Sequence, residues 1–258
     1  MKFCRFLPLE VSAWPLYGLL EGDQINEISG PPWTQWSRAS RTRPLASVRL
    51  LAPVDPGKIV CVGRNYAAHA AELGNEVPKE PLIFLKPPSS VVGPDEPIVT
   101  PAYSQRVEHE GELALIIGRR CKNLRDSDDA LSNVLGYSCL NDVTARDIQK
   151  TEGQFTRAKG FDTFCPVGPH IETELDPANT LVETRVNGAL RQSGNTSLMV
   201  YPVAFIVRWI SRMMTIHPGD VIATGTPAGV GPLLAGDTVE VGVSGVGVLR
   251  NPVHAPQA

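Results

Sequence analysis

Glycine and proline punctuate this chain from end to end, 23 of each among 258 residues, scattered rather than clustered. Proline fixes φ and removes a backbone donor, and glycine favours turns, so each tends to end a regular element. A chain interrupted this often builds short strands and tight turns. The apolar runs between the breaks fit that reading. "KIVCVG" (58–63) is short and apolar, as a buried strand should be, and stops at Gly63. Residues 1–30 read as a small meander of "KFCRFL", "PLYGLLEGD" and "QINEIS", and residues 31–46 as a polar, turn-rich connector. From Asp220 onward the pattern is strand and turn throughout. The expected fold class is α+β and mainly β, with a small N-terminal β-rich domain (1–54) and a main domain (55–258).

Three stretches read as helices. "NYAAHAAELGN" is alanine-rich and reaches a plausible C-cap at Gly74. "YPVAFIVRWISRMM" spaces its apolar residues by three and four. "DSDDALSNVLGY" offers Asp126 or Ser127 as an N-cap.

Hydrophobic residues make up 42% and charged residues 20%, enough for a packed core. The net charge of −3 gives no basic footprint for nucleic acid. The five cysteines are odd in number and lack a C-x-x-C pair, which argues against a disulfide framework and for small core residues. The N-terminus lacks the continuous apolar core of a signal peptide, and no run has the length of a membrane span. A cytoplasmic location is expected.

The segment "EHEGELALIIG" carries Glu108, Glu110 and Glu112 at alternate positions, directly before an apolar run. In a strand these side chains share a face, and their repulsion raises a pKa unless a cation lies between them. Oxygen ligands of this kind suit Mg2+, Mn2+ or Ca2+ better than zinc. The competing reading is an edge strand that carries charge against aggregation. Gly111, between two glutamates, hints at close backbone approach. Glu108, farthest from the apolar run, is expected to be a solvated bystander. A third ligand is sought in "NDVTARDIQ", where Asp142 and Asp147 both qualify by spacing. An ordinary salt bridge to Arg146 or Lys150 is the alternative for Asp147.

Seven motifs in order, "VGRNYAAHAAELG", "PLIFLKP", "EHEGELALIIG", "NDVTARDIQ", "RAKGFDTFCPVGP", "TRVNGALRQSGNTSLM" and "GDVIATGTPAGVGP", resemble the fumarylacetoacetate hydrolase family from about Lys58 to about Val253. The resemblance implies a mixed β-sheet roll, a homodimer, and bound Mg2+ or Mn2+. Its metal carboxylates fall on Glu110, Glu112 and Asp142. Its substrate lysine falls on Lys159, its Arg and Gln on Arg146 and Gln149, and the threonine of its "TGTP" turn on Thr226. An acid–base pair used by members that cleave or decarboxylate falls on His69 and Glu72, in a segment that is often a mobile lid.

The chemistry implied is metal-assisted enolisation of a 2-oxo acid. A metal acts there as a Lewis acid, Lys159 adds positive charge where an oxyanion develops, and His69, oriented by Glu72, serves as base. The leading expectation is C–C hydrolysis or decarboxylation of a 2,4-dioxo acid. Isomerisation of 2-hydroxyhepta-2,4-diene-1,7-dioate and tautomerisation of oxaloacetate are the alternatives. A non-catalytic binding protein that keeps the fold, or a metal-free β domain, would be a different class. "GTPAGVG" lacks the Gly-Lys-Ser/Thr of a phosphate loop and reads as a tight turn with Thr226 its functional candidate. Lys86 is either a solvated loop charge or part of the pocket wall.

Overall fold

The computed structural model describes residues 1–10 and 14–256. The N-terminal strands are β1 (Lys2–Pro8), β2 (Leu16–Glu21), β3 (Gln24–Ile28), β4 (Arg38–Pro44) and β5 (Val48–Leu51). Strand β6 (Ile59–Gly63) connects through helix α1 (Ala67–Glu72) to β7 (Leu82–Lys86). The short strands β8 (Val91–Val92), β9 (Ile98–Val99) and β10 (Val107–His109) precede the long pair β11 (Gly111–Ile117) and β12 (Val134–Asn141). Strand β13 (Thr144–Ala145), helices α2 (Arg146–Thr151) and α3 (Thr156–Lys159), and β14 (Cys165–Glu172) come next. The hairpin β15 (Leu181–Val186) and β16 (Ala189–Asn195) leads to helix α4 (Val203–Met213) and β17 (Val221–Ala223). The chain closes with β18 (Gly231–Pro232), β19 (Thr238–Val243) and β20 (Gly247–His254).

Twelve strands form one mixed sheet whose main path is β4-β3-β2-β1-β14-β12-β11-β17-β6-β7, with β5 on β1 and β8 on β14. A five-stranded sheet runs β16-β15-β19-β20-β9, and a three-stranded one β13-β10-β18. The mainly β expectation holds.

Strand β11 explains the uninterrupted apolar run after the glutamates. All seven of its residues are buried. Leu113, Leu115 and Ile117 enter a core with Val60, Val62 and the Ile206, Val207 and Ile210 face of α4. Ala114 and Ile116, on the opposite face, pack with Phe3, Leu140 and Val167. A strand covered on both sides has no reason to alternate apolar with polar. Truncating Leu115 to alanine would cost about 2–5 kcal/mol.

The N-terminal meander forms as expected, with β1 antiparallel to β2 and β2 to β3. It has a small core of Cys4, Phe6 and Ile25. It is also hydrogen-bonded into the main sheet, because β1 pairs with β14.

Two sequence expectations are overturned. The connector at 31–46 contains β4, an edge strand with no apolar alternation. Cross-strand polar contacts hold it instead: Arg43 Nε to Glu27 at 2.5 Å, Arg38 to Glu21 at 2.8 Å and Thr42 to Asn26 at 2.7 Å. The helix expected in "DSDDALSNVLGY" is a single 3-10 turn, Leu131–Asn133, running straight into β12. Asp128 accepts from the Arg125 N–H and Asp129 from the Leu131 N–H. These local bonds compete with helix hydrogen bonding. The helices α1 and α4 form where expected, and Gly74 follows α1 with φ +69°.

Candidate active site

The glutamate row does not lie on one strand. The chain breaks at Glu110, between β10 in the three-stranded sheet and β11 in the main sheet. The break is fixed locally: the Glu110 N–H donates to Asn141 Oδ1 at 2.9 Å, and the Asp142 N–H donates to the Glu110 carbonyl at 2.8 Å. Those two bonds bring Asp142 beside the glutamates. Glu110, Glu112 and Asp142 are all buried, and each offers an oxygen within 4.8 Å of the others. Gly111 is required here, since a Cβ at this position would lie 2.0 Å from Thr184 Oγ1.

The charges around this cluster are unevenly shared. Lys159 Nζ bridges Glu110 Oε2 at 2.8 Å and Asp142 Oδ2 at 2.6 Å. Arg146 donates from Nε to Glu108 at 2.6 Å, and from its terminal nitrogens to Glu110 and Gln149. Although burial opposes ionisation, Lys159 and Arg146 hold the Glu110 carboxyl well below the usual range. Glu112 has no ion pair among the described residues; its Oε2 accepts only the Gly225 N–H, at 2.7 Å. Burial, with Asp142 and Glu110 as like-charged neighbours, pushes its carboxyl well above the ordinary value. An all-oxygen donor set with one uncompensated carboxylate fits a hard divalent cation.

The cluster forms the floor of a cavity of about 800 Å³. All nine residues singled out by the family motifs line it: His69, Glu72, Glu110, Glu112, Asp142, Arg146, Gln149, Lys159 and Thr226. Phe84 and Phe155 supply an apolar wall, their rings edge-to-face at 5.4 Å, and Lys159 Nζ stands 5.0 Å from the Phe84 ring centre. His69 Nδ1 and Glu72 Oε2 are 3.5 Å apart, without a hydrogen bond, and Nδ1 has no hydrogen-bond partner among the described residues. Both Glu72 oxygens lie 3.1 Å from the Gly229 N–H instead, tying α1 to the "GTPAGVG" turn.

Three expectations about individual charges are corrected. Glu108 is not solvated: it is 1% exposed, and Arg146 and Arg106 both donate to it. Arg146 comes from 38 residues away and could not be seen in the local pattern. Asp147 makes no salt bridge among the described residues. Its carboxylate accepts from Ser104 Oγ at 2.6 Å and from the Gln105 and Ile148 N–H groups at 2.7 and 3.0 Å. Lys86 is neither solvated nor part of the cavity lining. It is buried behind Asp142, with Nζ 2.6 Å from Oδ1.

Sequence reasoning missed Gln192, which is fully buried and joins Gly111, His109, Thr226 and Pro227. It sits in "ALRQSGN" among exposed residues, where nothing distinguishes it from a surface amide. The cysteines behave as expected: all five are free and buried, and burial pushes the Cys165 thiol up to about 12.

Residues 58–254 match the family model described as "Fumarylacetoacetate (FAA) hydrolase C-terminal", and residues 1–53 match "Rv2993c-like, N-terminal". The chain belongs to the fumarylacetoacetate hydrolase family. Within that family it is 53% identical over 230 residues to Protein Rv2993c of Mycobacterium tuberculosis, covering 88% of this chain and 86% of that one. It is 45% identical over 221 residues to oxaloacetate tautomerase fahd2, mitochondrial, of Xenopus laevis, covering 81% and 69%. Among solved structures it resembles 2-hydroxyhepta-2,4-diene-1,7-dioate isomerase from Mycobacterium marinum, with a TM-score of 0.90 and 47% identity over the full length of both chains. Isomerases and tautomerases therefore stand among this enzyme family's relatives of the chain.

Proposed function

We propose that this protein is an Mg2+- or Mn2+-dependent enzyme that moves a proton between carbon and oxygen of a 2-oxo dicarboxylic acid, as an isomerase or tautomerase. The carrying observation is the buried Glu110–Glu112–Asp142 cluster in which Glu112 lacks a counter-charge. Glu110, Glu112 and Asp142 would hold the ion. When bound it would supply Lewis-acid polarisation of the 2-oxo group.

The chain's own charges favour an acidic substrate. Four buried carboxylates, Glu108, Glu110, Glu112 and Asp142, are balanced by Arg106, Arg146, Lys86 and Lys159. A divalent cation leaves this set two positive charges in excess, the complement of a dicarboxylate. The named isomerase and tautomerase relatives act on dicarboxylates by their names. Lys159 stands where negative charge grows on the substrate oxygen as the adjacent carbon loses its proton, a use of fixed charge that requires no rearrangement. His69 places its imidazole on the cavity wall and carries the proton between carbon and oxygen. Gln149 spends its Oε1 on Arg146, which leaves its NH2 to donate to the substrate. Phe84 and Phe155 form an apolar wall that would shield the reacting carbon from water.

A second reading, C–C hydrolysis or decarboxylation, is favoured by the His69–Glu72 contact at 3.5 Å. Rotation of Glu72 off Gly229 would let it orient His69 toward an attacking water. The test follows oxaloacetate, the heptadienedioate and acetylpyruvate spectrophotometrically with Mg2+ and with EDTA, and assays pyruvate in parallel. The proposal expects metal-dependent loss of the enol or dienol signal without pyruvate. Pyruvate release supports the second reading, and rates indifferent to EDTA rule out both.

A further inference from the structure

The turn that leaves β6 carries an anomaly. Arg64 has φ +56°, the left-handed region that suits glycine and is costly for a long side chain. The neighbouring residue holds it there. Asn65 is fully buried, and its side chain accepts from the Tyr201 N–H at 2.8 Å and donates to the Thr224 and Tyr201 carbonyls at 2.8 and 3.1 Å. Its own carbonyl accepts from the Val200 N–H at 2.8 Å. With four bonds fixing Asn65, the preceding residue has no freedom to relax. Strain retained by so firm a surround is a reason to ask what the strained residue does.

Arg64 lines the main cavity. Three arginines line it in all, and the other two are engaged: Arg106 with Glu108, and Arg146 with Glu108, Glu110 and Gln149. Lys159 is held by Glu110 and Asp142. Among the described residues, Arg64 has neither a hydrogen-bond nor an ion-pair partner, although it is half-buried. Lys150 is the other lining cation without a carboxylate, but it is exposed and well hydrated. A half-buried arginine with its planar donors unspent is suited to a carboxylate brought by a ligand.

We propose that Arg64 is the specificity-determining residue that receives the second carboxylate of the substrate, the one remote from the 2-oxo group. This rests on the 2-oxo-acid reading for the other end of the ligand. The turn accepts a costly backbone conformation at a residue of the cavity wall, while Arg106, Arg146 and Lys159 are engaged by the acidic cluster.

The test uses two inert probes with the same oxamate head: N-oxalylglycine, which has a remote carboxylate, and N-ethyloxamate, which does not. Calorimetric titration of each into the Mg2+-loaded protein should show N-oxalylglycine binding about tenfold or more tightly, as one charge-assisted bidentate pair implies. In Arg64→Gly the preference should vanish while the affinity for N-ethyloxamate stays. The same variant should melt higher than wild type, because glycine takes φ +56° without strain. Arg64→Lys should keep part of the preference. A preference that survives in Arg64→Gly overturns the assignment and leaves the head-group reading intact, as does equal binding of both probes by wild type. Equal loss of both probes with a lowered melting point makes Arg64 structural and also overturns it. Failure of wild type to bind either probe overturns the 2-oxo-acid reading, and this proposal with it.

Discussion

Gln192 Nε2 donates to Thr226 Oγ1 at 2.7 Å, across 34 residues and in full burial. The orientation of this amide is settled by backbone groups. The Gly111 N–H, at 3.0 Å, needs the amide oxygen, and the Pro227 carbonyl, at 2.7 Å, needs the nitrogen. His109 Nδ1, 2.9 Å from the same oxygen, must then carry a proton, and because burial lowers the pKa of this imidazole, the neutral ring keeps a lone pair on Nε2. Thr226 in turn donates to the Gly111 carbonyl at 2.8 Å. One side chain thus ties the hairpin β15–β16 to the residue between two acidic side chains of the cluster and to the "TGTP" turn.

Gln192→Leu adds about one methylene of volume to a buried site and removes all four bonds. Buried polar groups left unpaired cost about 1–3 kcal/mol each, so a loss of about 3 kcal/mol or more is expected in urea unfolding. Gln192→Glu retains acceptance from Gly111 and His109 but sets an oxygen against the Pro227 carbonyl. With that carboxyl protonated at low pH, and donating to the Pro227 carbonyl, it should fall between wild type and Gln192→Leu. A loss below about 1 kcal/mol for Gln192→Leu would mean that water or rearrangement satisfies these groups.

Metal binding should cross over with substitution at Glu112. At a hundredfold excess over Kd, Mg2+ would stabilise wild type by about 2.7 kcal/mol, or about 5–10 °C for a chain this long. Glu112→Gln removes the carboxylate that burial and two acidic neighbours disfavour. In EDTA at pH 7 it should melt above wild type, and with Mg2+ its gain should be small. Thermal scans in both media decide the point. A wild type that ignores Mg2+ would mean that the buried Glu108 and Glu110 serve only their ion pairs with Arg106, Arg146 and Lys159.

Gly111→Ala should destabilise by about 1–3 kcal/mol, the usual cost of overpacking. The new Cβ would meet Thr184 Oγ1 at 2.0 Å and Val241 Cγ1 at 3.2 Å. Thr184→Ser leaves the hydroxyl in place and should not rescue it, whereas Thr184→Ala should recover part of the loss. Coupling in the double-mutant cycle is the quantity to measure, and additive effects would place the clash elsewhere.

Legibility of the site depended on how local each signal was. Glu110 and Glu112 announce themselves by spacing and by the apolar strand behind them. Asp142 could not be separated from Asp147 by spacing, and the separation comes from a backbone bond between Asp142 and Glu110. Glu108 reads as a surface charge in the sequence because its partner Arg146 lies on α2, 38 residues away. Lys86 and Gln192 reach the cluster from β7 and β16; the sequence marks Lys86 as a charge with two open readings, and nothing beside Gln192 sets it apart. The same logic governs the fold: β11 and α4 carry strong periodic or continuous apolar patterns, whereas β4 is held by side-chain ion pairs that no hydropathy pattern records.

His170 offers a pH test away from the cavity. It lies on β14, is 5% exposed, and its Nε2 has no partner among the described residues. Burial, with a smaller contribution from Lys2, lowers its pKa from 6.5 to about 4. The unfolded chain therefore binds this proton more readily than the folded one. Above pH 6.5 the imidazole is neutral in both states and costs nothing. As pH falls from 6.5 to 4, unfolding takes up a proton that folding refuses, and stability drops; below 4 the penalty is constant. Its full size is on the order of 3 kcal/mol. His170→Gln cannot titrate, so its stability relative to wild type should improve steadily between pH 6.5 and 4.5. Comparing the two proteins in urea at each pH cancels the carboxylates they share. A difference that stays flat across that range would show that His170 is hydrated, or protonated, in the native state.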